Sequence, residues 1–312
     1  MTCSSAFDIL HGSSQSASMG VNRRDREEVE KGESMNTRGL PRCFGIVLVA
    51  SVSLFFMQSA NAVLLFSEAF DYTSGTGLPG SINPGNSTAW GSGNSTRLAI
   101  GSGNVTYDSL ADLSPAGNSL VINNGGATSS INTFANQASG QIYYSFLFNP
   151  TAADSGNNYF TAMNPGTTAP GGGGDAIDAY FYSDNKIYLR ANAQSATPGT
   201  GSALTLGQTY LIVEMVDLTA KTASLWVDPD SSTFGVAAPT VTASLSGITA
   251  TSVANVGFKA QSSAGGPYTI DTLRIGTTWA DVTPVTVPEP SSLALAAAGL
   301  GLVIATIRRR RS

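Results

Sequence analysis

A chain of 312 residues holds 21 acidic against 16 basic side chains, two cysteines and one histidine. Cys3, Cys43 and His11 all precede residue 63, so residues 63–286 carry neither Cys nor His, which excludes disulfides, Ser-His-Asp and Cys-His catalysis, and zinc bound through nitrogen or sulfur. The same stretch has six basic against fourteen acidic groups, a difference of minus eight, and so offers no basic surface for nucleic-acid phosphates.

Residues 1–34 are polar and charged, as in Arg23-Arg24-Asp25-Arg26-Glu27-Glu28, with too little apolar content for a core. They read as a disordered extension, and translation is expected to begin at Met35. From Met35 a short basic stretch with Arg38 and Arg42 leads into an apolar run from Cys43 to Met57, then Ser59-Ala60-Asn61-Ala62. This order predicts a secretory signal peptide over 35–62, with Ala60 and Ala62 as the peptidase site.

Residues 63–286 alternate Gly-, Ser-, Thr- and Asn-rich segments with short runs of Val, Ile, Tyr, Phe and Thr. Such runs predict strands. They fall at Val63–Phe66, Ile142–Phe148, Ala176–Tyr182, Ile187–Arg190, Thr209–Val216, Thr222–Val227, Val253–Lys259 and Tyr268–Ile275. Weaker ones fall at Leu98–Ile100, Leu120–Ile122 and Tyr159–Met163. Ser183-Asp184-Asn185 and Asp217–Lys221 read as hairpin turns. No stretch keeps a helical period for ten residues, so the prediction is an all-β domain of antiparallel strands.

Several segments carry a family resemblance. They are Glu68-Ala69-Phe70-Asp71-Tyr72, Trp90-Gly91, Gly207–Val213, Leu225-Trp226-Val227-Asp228-Pro229 and Ile270–Trp279. In this order they look like the concanavalin A-like (LamG, or lectin and glucanase) jelly-roll β-sandwich. The resemblance implies that the closing strand, Asp271–Gly276, returns beside the first. A generic β-sandwich and a β-solenoid are the alternatives.

That fold also hosts laminarinase-like hydrolases with a Glu-x-Asp-x-x-Glu strand. Here Glu214-Met215-Val216-Asp217 has the wrong spacing, because residues three apart face opposite sides of a strand. Glu214 reads as a lone polar position on a solvent face, and the domain reads as no enzyme. Carbohydrate binding by aromatic rings fits better. Tyr180 and Tyr182 alternate onto one face, Tyr143 and Tyr159 could join them, and Trp90, Trp226 and Trp279 are further candidates, each weighed against simple core packing. Asp228 and Asp230 flank Pro229, where calcium could bind or a plain turn form; no other cofactor is expected. Two functions follow: a lectin-like module for extracellular polysaccharide, or a structural surface protein without a specific ligand.

The tail reads Val287-Pro288-Glu289-Pro290, an uncharged run from Leu293 to Ile307, then Arg308, Arg309, Arg310 and Arg311 before a final serine. Two prolines keep the first part extended. The pattern resembles the PEP-CTERM sorting signal of bacteria, which implies an exosortase-type membrane protease as partner and display at the cell surface. The apolar run is expected to form a transmembrane helix over 293–307 that anchors the chain, although at about 1.5 Å per residue it spans only roughly 22 Å of a ~30 Å hydrocarbon core. The arginines would then hold the cytoplasmic side.

Overall fold

The computed structural model describes residues 63–285 apart from 115–116, 154, 157, 168, 172–173, 193–196, 199–202 and 262–265. The expected extension, signal peptide and sorting tail lie outside the described residues. In chain order the strands are β1 (Leu64–Glu68), β2 (Leu98–Gly101), β3 (Ser119–Ile122), β4 (Thr128–Gln137) and β5 (Gln141–Pro150). Next come β6 (Asn158–Asn164), β7 (Ile177–Phe181), β8 (Ile187–Arg190), β9 (Thr197–Pro198) and β10 (Tyr210–Asp217). The last are β11 (Thr222–Val227), β12 (Ala243–Ser246), β13 (Val253–Ala260) and β14 (Tyr268–Gly276), followed by the short helix α1 (Trp279–Val282).

The strands form two antiparallel sheets. One has eight strands in the order β12-β11-β10-β5-β14-β3-β2, with β1 also on β14; the other has six, β4-β13-β6-β7-β8-β9. The first strand pairs with the closing one, Glu68 opposite Leu273 and Ser67 opposite Arg274. Both expected hairpins are present, β7–β8 and β10–β11. Their turns use left-handed residues, Asn185 (φ 58°) and Lys221 (φ 59°), and Asp217 Oδ1 accepts the Thr219 and Ala220 amides. That arrangement is an Asx turn.

Aromatic side chains fill the space between the sheets. Phe146 and Phe148 of β5, Phe160 of β6, Phe181 of β7, Phe258 of β13 and Tyr268 of β14 are all sealed from water. Phe148 stacks on Phe160 with centroids 4.8 Å apart and meets Phe181 edge-on at 5.4 Å. At about 25 cal/mol per Å² of apolar surface removed from water, such rings are the main stabilising contribution available without disulfides. The outer face of the eight-stranded sheet is covered too. Tyr143, Leu147, Leu211, Val213 and Trp226 pack there against Phe234, Trp279 and Val282 from the connecting segments.

The domain's two glutamates are both buried, with opposite solutions. Glu68 accepts four hydrogen bonds, from the Phe70 amide (2.7 Å), Tyr72 Oη (2.6 Å), Asn83 Nδ2 (2.8 Å) and Trp90 Nε1 (2.9 Å). It pins the 69–90 segment to the end of β1. Among the described residues Glu214 has no hydrogen-bond partner on either oxygen, and it has no exposed surface. The expectation of a solvent-facing Glu214 is therefore wrong. Between Ile212 and Val216, both in the inter-sheet core, residue 214 shares their inward face. Burial pushes its carboxyl up to about 8, so it enters the core neutral.

The expected membrane anchor is also corrected. Among the described residues no helix is long and apolar enough to cross a membrane, and the run 293–307 lies outside them. Its fifteen residues were already short of the bilayer, so the transmembrane helix and a location fixed by it are withdrawn.

Glu214 gives the first prediction. Below about pH 4.5 both folded and unfolded chains hold its proton. From there to about pH 8 only the unfolded chain releases it, and stability falls by about 1.4 kcal/mol per pH unit before levelling off. Glu214→Met should raise the melting temperature more at pH 8 than at pH 5. Equal melting shifts at the two pH values would contradict a neutral buried acid.

Candidate functional site

The outward face of the six-stranded sheet gathers what the sequence kept apart. On β7 and β8 the residues Ile177, Ala179, Phe181, Ile187 and Leu189 point into the core. Alternation therefore turns Asp178, Tyr180, Tyr182, Tyr188 and Arg190 the other way. Strand register closes the group, because Tyr180 lies opposite Tyr159 on one side and Tyr188 on the other. The rings form a continuous strip. Centroids are 5.3 Å apart for Tyr159–Tyr180, 5.8 Å for Tyr180–Tyr182 and 3.9 Å for Tyr182–Tyr188, the last pair stacked at 21°.

Cations flank this strip. The Arg190 guanidinium lies 4.7 Å from the Tyr180 centroid, and Lys259 Nζ lies 4.3 Å from that of Tyr159. Such contacts are attractive because the ring face is electron-rich. Arg190 is fixed from below by Asp178 Oδ2, which accepts from Nε at 2.9 Å and Nη2 at 2.8 Å, with Asp175 Oδ2 3.9 Å away. Both aspartates are fully buried, and among the described residues neither Oδ1 has a hydrogen-bond partner. Burial, and then Asp175 beside it, hold the Asp178 carboxyl well above the usual range; Arg190 opposes the shift. The segment before β7 roofs one end of the strip. Gly171 (φ 95°) donates its amide to Asp175 Oδ2, and a Cβ there would lie 1.7 Å from Tyr159 Oη. Only glycine lets the backbone come so close.

Of the predicted ligand residues, Tyr159, Tyr180 and Tyr182 come together, with Tyr182 half-buried and Tyr180 6% exposed. Tyr143 does not join them. It lies on the other sheet, 6.2 Å from Trp226 and 6.3 Å from Trp279. Trp90, Trp226 and Trp279 are core residues whose indole N–H groups donate to Glu68, Pro239 and Thr233. Tyr188, Arg190 and Lys259 escaped notice because only the strand register brings them beside Tyr180 and Tyr159. A Tyr-x-Arg alternation in β8 was the available signal.

Asp228 and Asp230 line an open groove of about 660 Å³ with Tyr107, Asp108, Gln208, Thr209 and Ser231. Their carboxylates serve the loop itself. Asp228 Oδ1 accepts from Tyr107 Oη, and Asp230 Oδ1 accepts the Ser232 amide at 2.8 Å, capping a 3-10 turn. Each carboxylate thus takes part in a loop hydrogen bond. Among the described residues no group of three or more His, Cys, Asp or Glu side chains could hold a metal ion.

Residues 286–311 match the family model described as the PEP-CTERM protein-sorting motif. The tail is a PEP-CTERM sorting motif. Val287, Pro288, Glu289, Pro290 and the arginines Arg308–Arg311 fall within the match. No curated protein matches the chain. Among solved structures it is similar to a sialidase (11% identity, TM-score 0.42), over 69% of this chain and 18% of that one. A Trypanosoma rangeli sialidase in complex with the inhibitor DANA gives 11% and 0.40, over 69% and 31%. The metal-free lectin I-B4 from Griffonia simplicifolia gives 12% and 0.36, over 50% and 86%. The chain thus spans less than a third of the length of either sialidase, and likenesses this remote carry no functional argument.

Removing Arg190 tests the base of the strip. Arg190→Leu leaves Asp175 and Asp178 buried without their cation, which should cost about 3 kcal/mol in urea unfolding. A loss under about 0.5 kcal/mol would show that the pair is not holding the face together.

Proposed function

We propose that this chain is an exported bacterial surface or extracellular-matrix protein whose sandwich is a lectin-like module for polysaccharide. A signal peptide over 35–62 starts export, and an exosortase-type protease reads the PEP-CTERM motif. The sandwich belongs to the concanavalin A-like class on this reading, a view supported by two face-to-face antiparallel sheets and by β1 lying beside β14. The observation that carries the binding reading is the strip Tyr159–Tyr180–Tyr182–Tyr188. Sugar rings present C–H faces that pack on aromatic rings, while hydroxyls take hydrogen bonds from the flanking polar groups.

The module binds without chemistry. Glycoside hydrolysis needs an acid and a second carboxylate facing the bond across an open cleft. Asp175 and Asp178 are sealed beneath the strip and tied to Arg190, and Glu214 lies in the core.

A glycan array probed with the full chain tests this. Binding to at least one polysaccharide is expected, weakened about tenfold or more by Tyr182→Ala with Tyr188→Ala, at the scale of one to three kcal/mol for lost stacking on aromatic rings. No binding to any polymer would leave the structural-protein reading in its place. For the tail, replacing Pro288, Glu289 and Pro290 together by alanine should leave the exported chain at its uncut mass in intact mass spectrometry. Unchanged processing would mean that another feature is read.

A further inference from the structure

We infer that the ligand of the tyrosine strip is an acidic polysaccharide, a polymer bearing carboxylates or sulfates, with Lys259 as its principal anion contact. This rests on the polysaccharide reading and specifies its ligand class. The basis is where a strongly acidic domain keeps its cations. Of six basic residues between 63 and 286, Arg190 and Lys259 lie over rings of the strip, and Lys186 sits in the hairpin beside it, where its carbonyl accepts the Tyr182 amide. The other three serve the scaffold through backbone carbonyls. Arg97 Nη1 donates to Asn124 O, Lys221 Nζ to Ala250 O and Arg274 Nη2 to Ala111 O.

These three differ in availability. Arg190 spends Nε and Nη2 on Asp178. Lys186 makes a 4.0 Å surface contact with Asp184, which water and salt screen. Lys259 has no carboxylate within salt-bridge distance among the described residues. Its amine rests over the Tyr159 ring and 3.5 Å from Pro170 O. A half-buried ammonium whose neighbours are a ring face and one distant carbonyl keeps most of its attraction for an incoming anion.

The rest of the surface supports the same ligand. The large open groove is lined by Asp108, Asp228 and Asp230, which repel a polyanion. Charge sorting of this kind steers a polymer to one face and rejects it from another. On the strip, Tyr182 and Tyr188 supply ring surface and Lys259 the charge, so one chain of acidic sugars can use both.

Affinities of the full chain for polygalacturonate, a sulfated polymer (dextran sulfate) and neutral dextran test the inference. Binding to one of the polyanions should exceed dextran by at least tenfold. It should weaken as salt rises from about 50 to about 500 mM, which shortens the screening length severalfold. Lys259→Met should lower polyanion affinity about tenfold, Lys259→Arg should restore most of it, and Lys221→Gln, an equal charge change off the strip, should leave it within twofold. Equal or better binding to dextran, weakened by the tyrosine substitutions, would keep the lectin reading and overturn the acidic ligand. An unchanged affinity in Lys259→Met would overturn it as well, and a chain that binds no polymer defeats both.

Discussion

Along β7 and β8 every second side chain is committed to the space between the sheets, and that commitment fixes what the domain can present outside. Ile177, Ala179, Phe181, Ile187 and Leu189 cannot leave the core without exposing their apolar surface. Period-two alternation then turns Asp178, Tyr180, Tyr182, Tyr188 and Arg190 outward together. A one-residue slip of β7 would turn Asp178 in among the core phenylalanines, and a slip of β8 would do the same to Arg190. The strip therefore inherits its geometry from the core, and the hydrogen-bonded register of β6, β7 and β8 sets its spacing.

Stability without disulfides leaves the burden on packing, and the domain spends some of it on buried polar groups. Glu68 is solvated internally by four donors and organises the long 69–90 segment, including the left-handed Phe70 (φ 50°). Glu214 receives none among the described residues, and burial keeps it protonated. Asp178 takes a middle course: it is sealed from water, raised by burial and by Asp175, and joined to a guanidinium. Burial raises both Glu214 and Asp178, and at Asp178 the neighbouring Asp175 adds to the rise while Arg190 opposes it.

Much of the fold was legible because hydrophobic runs and turn residues are local signals. Each of the eleven strands expected from sequence is present within a few residues of its expected ends. Of the fourteen strands β4, β9 and β12 were not expected, β4 because Thr128–Gln137 has little apolar content. Its edge is held instead by Gly91 N to Ile131 O, and by Asn86 and Asn132 reaching to and from the 86–94 segment. Those contacts join residues some forty positions apart. The site was half legible. Tyr180 and Tyr182 follow from alternation within one strand, whereas Tyr159, Tyr188 and Lys259 depend on pairing between strands. Tyr143 was misplaced because composition cannot say which sheet a strand joins. Glu214 was misread because its inward neighbours, Ile212 and Val216, outweigh the single polar residue between them.

Ligand contact at the strip can be read directly by tyrosine nitration and peptide mass spectrometry, with and without a polysaccharide that binds. Tyr182 and Tyr188 are half-buried on the strip, while Tyr107 is half-buried beside the acidic groove, so both regions report. Bound polymer should protect Tyr182 and Tyr188 and leave the nitration of Tyr107 unchanged. Protection of Tyr107 with Tyr182 and Tyr188 still reactive would place the ligand in the groove and contradict the assignment of the strip.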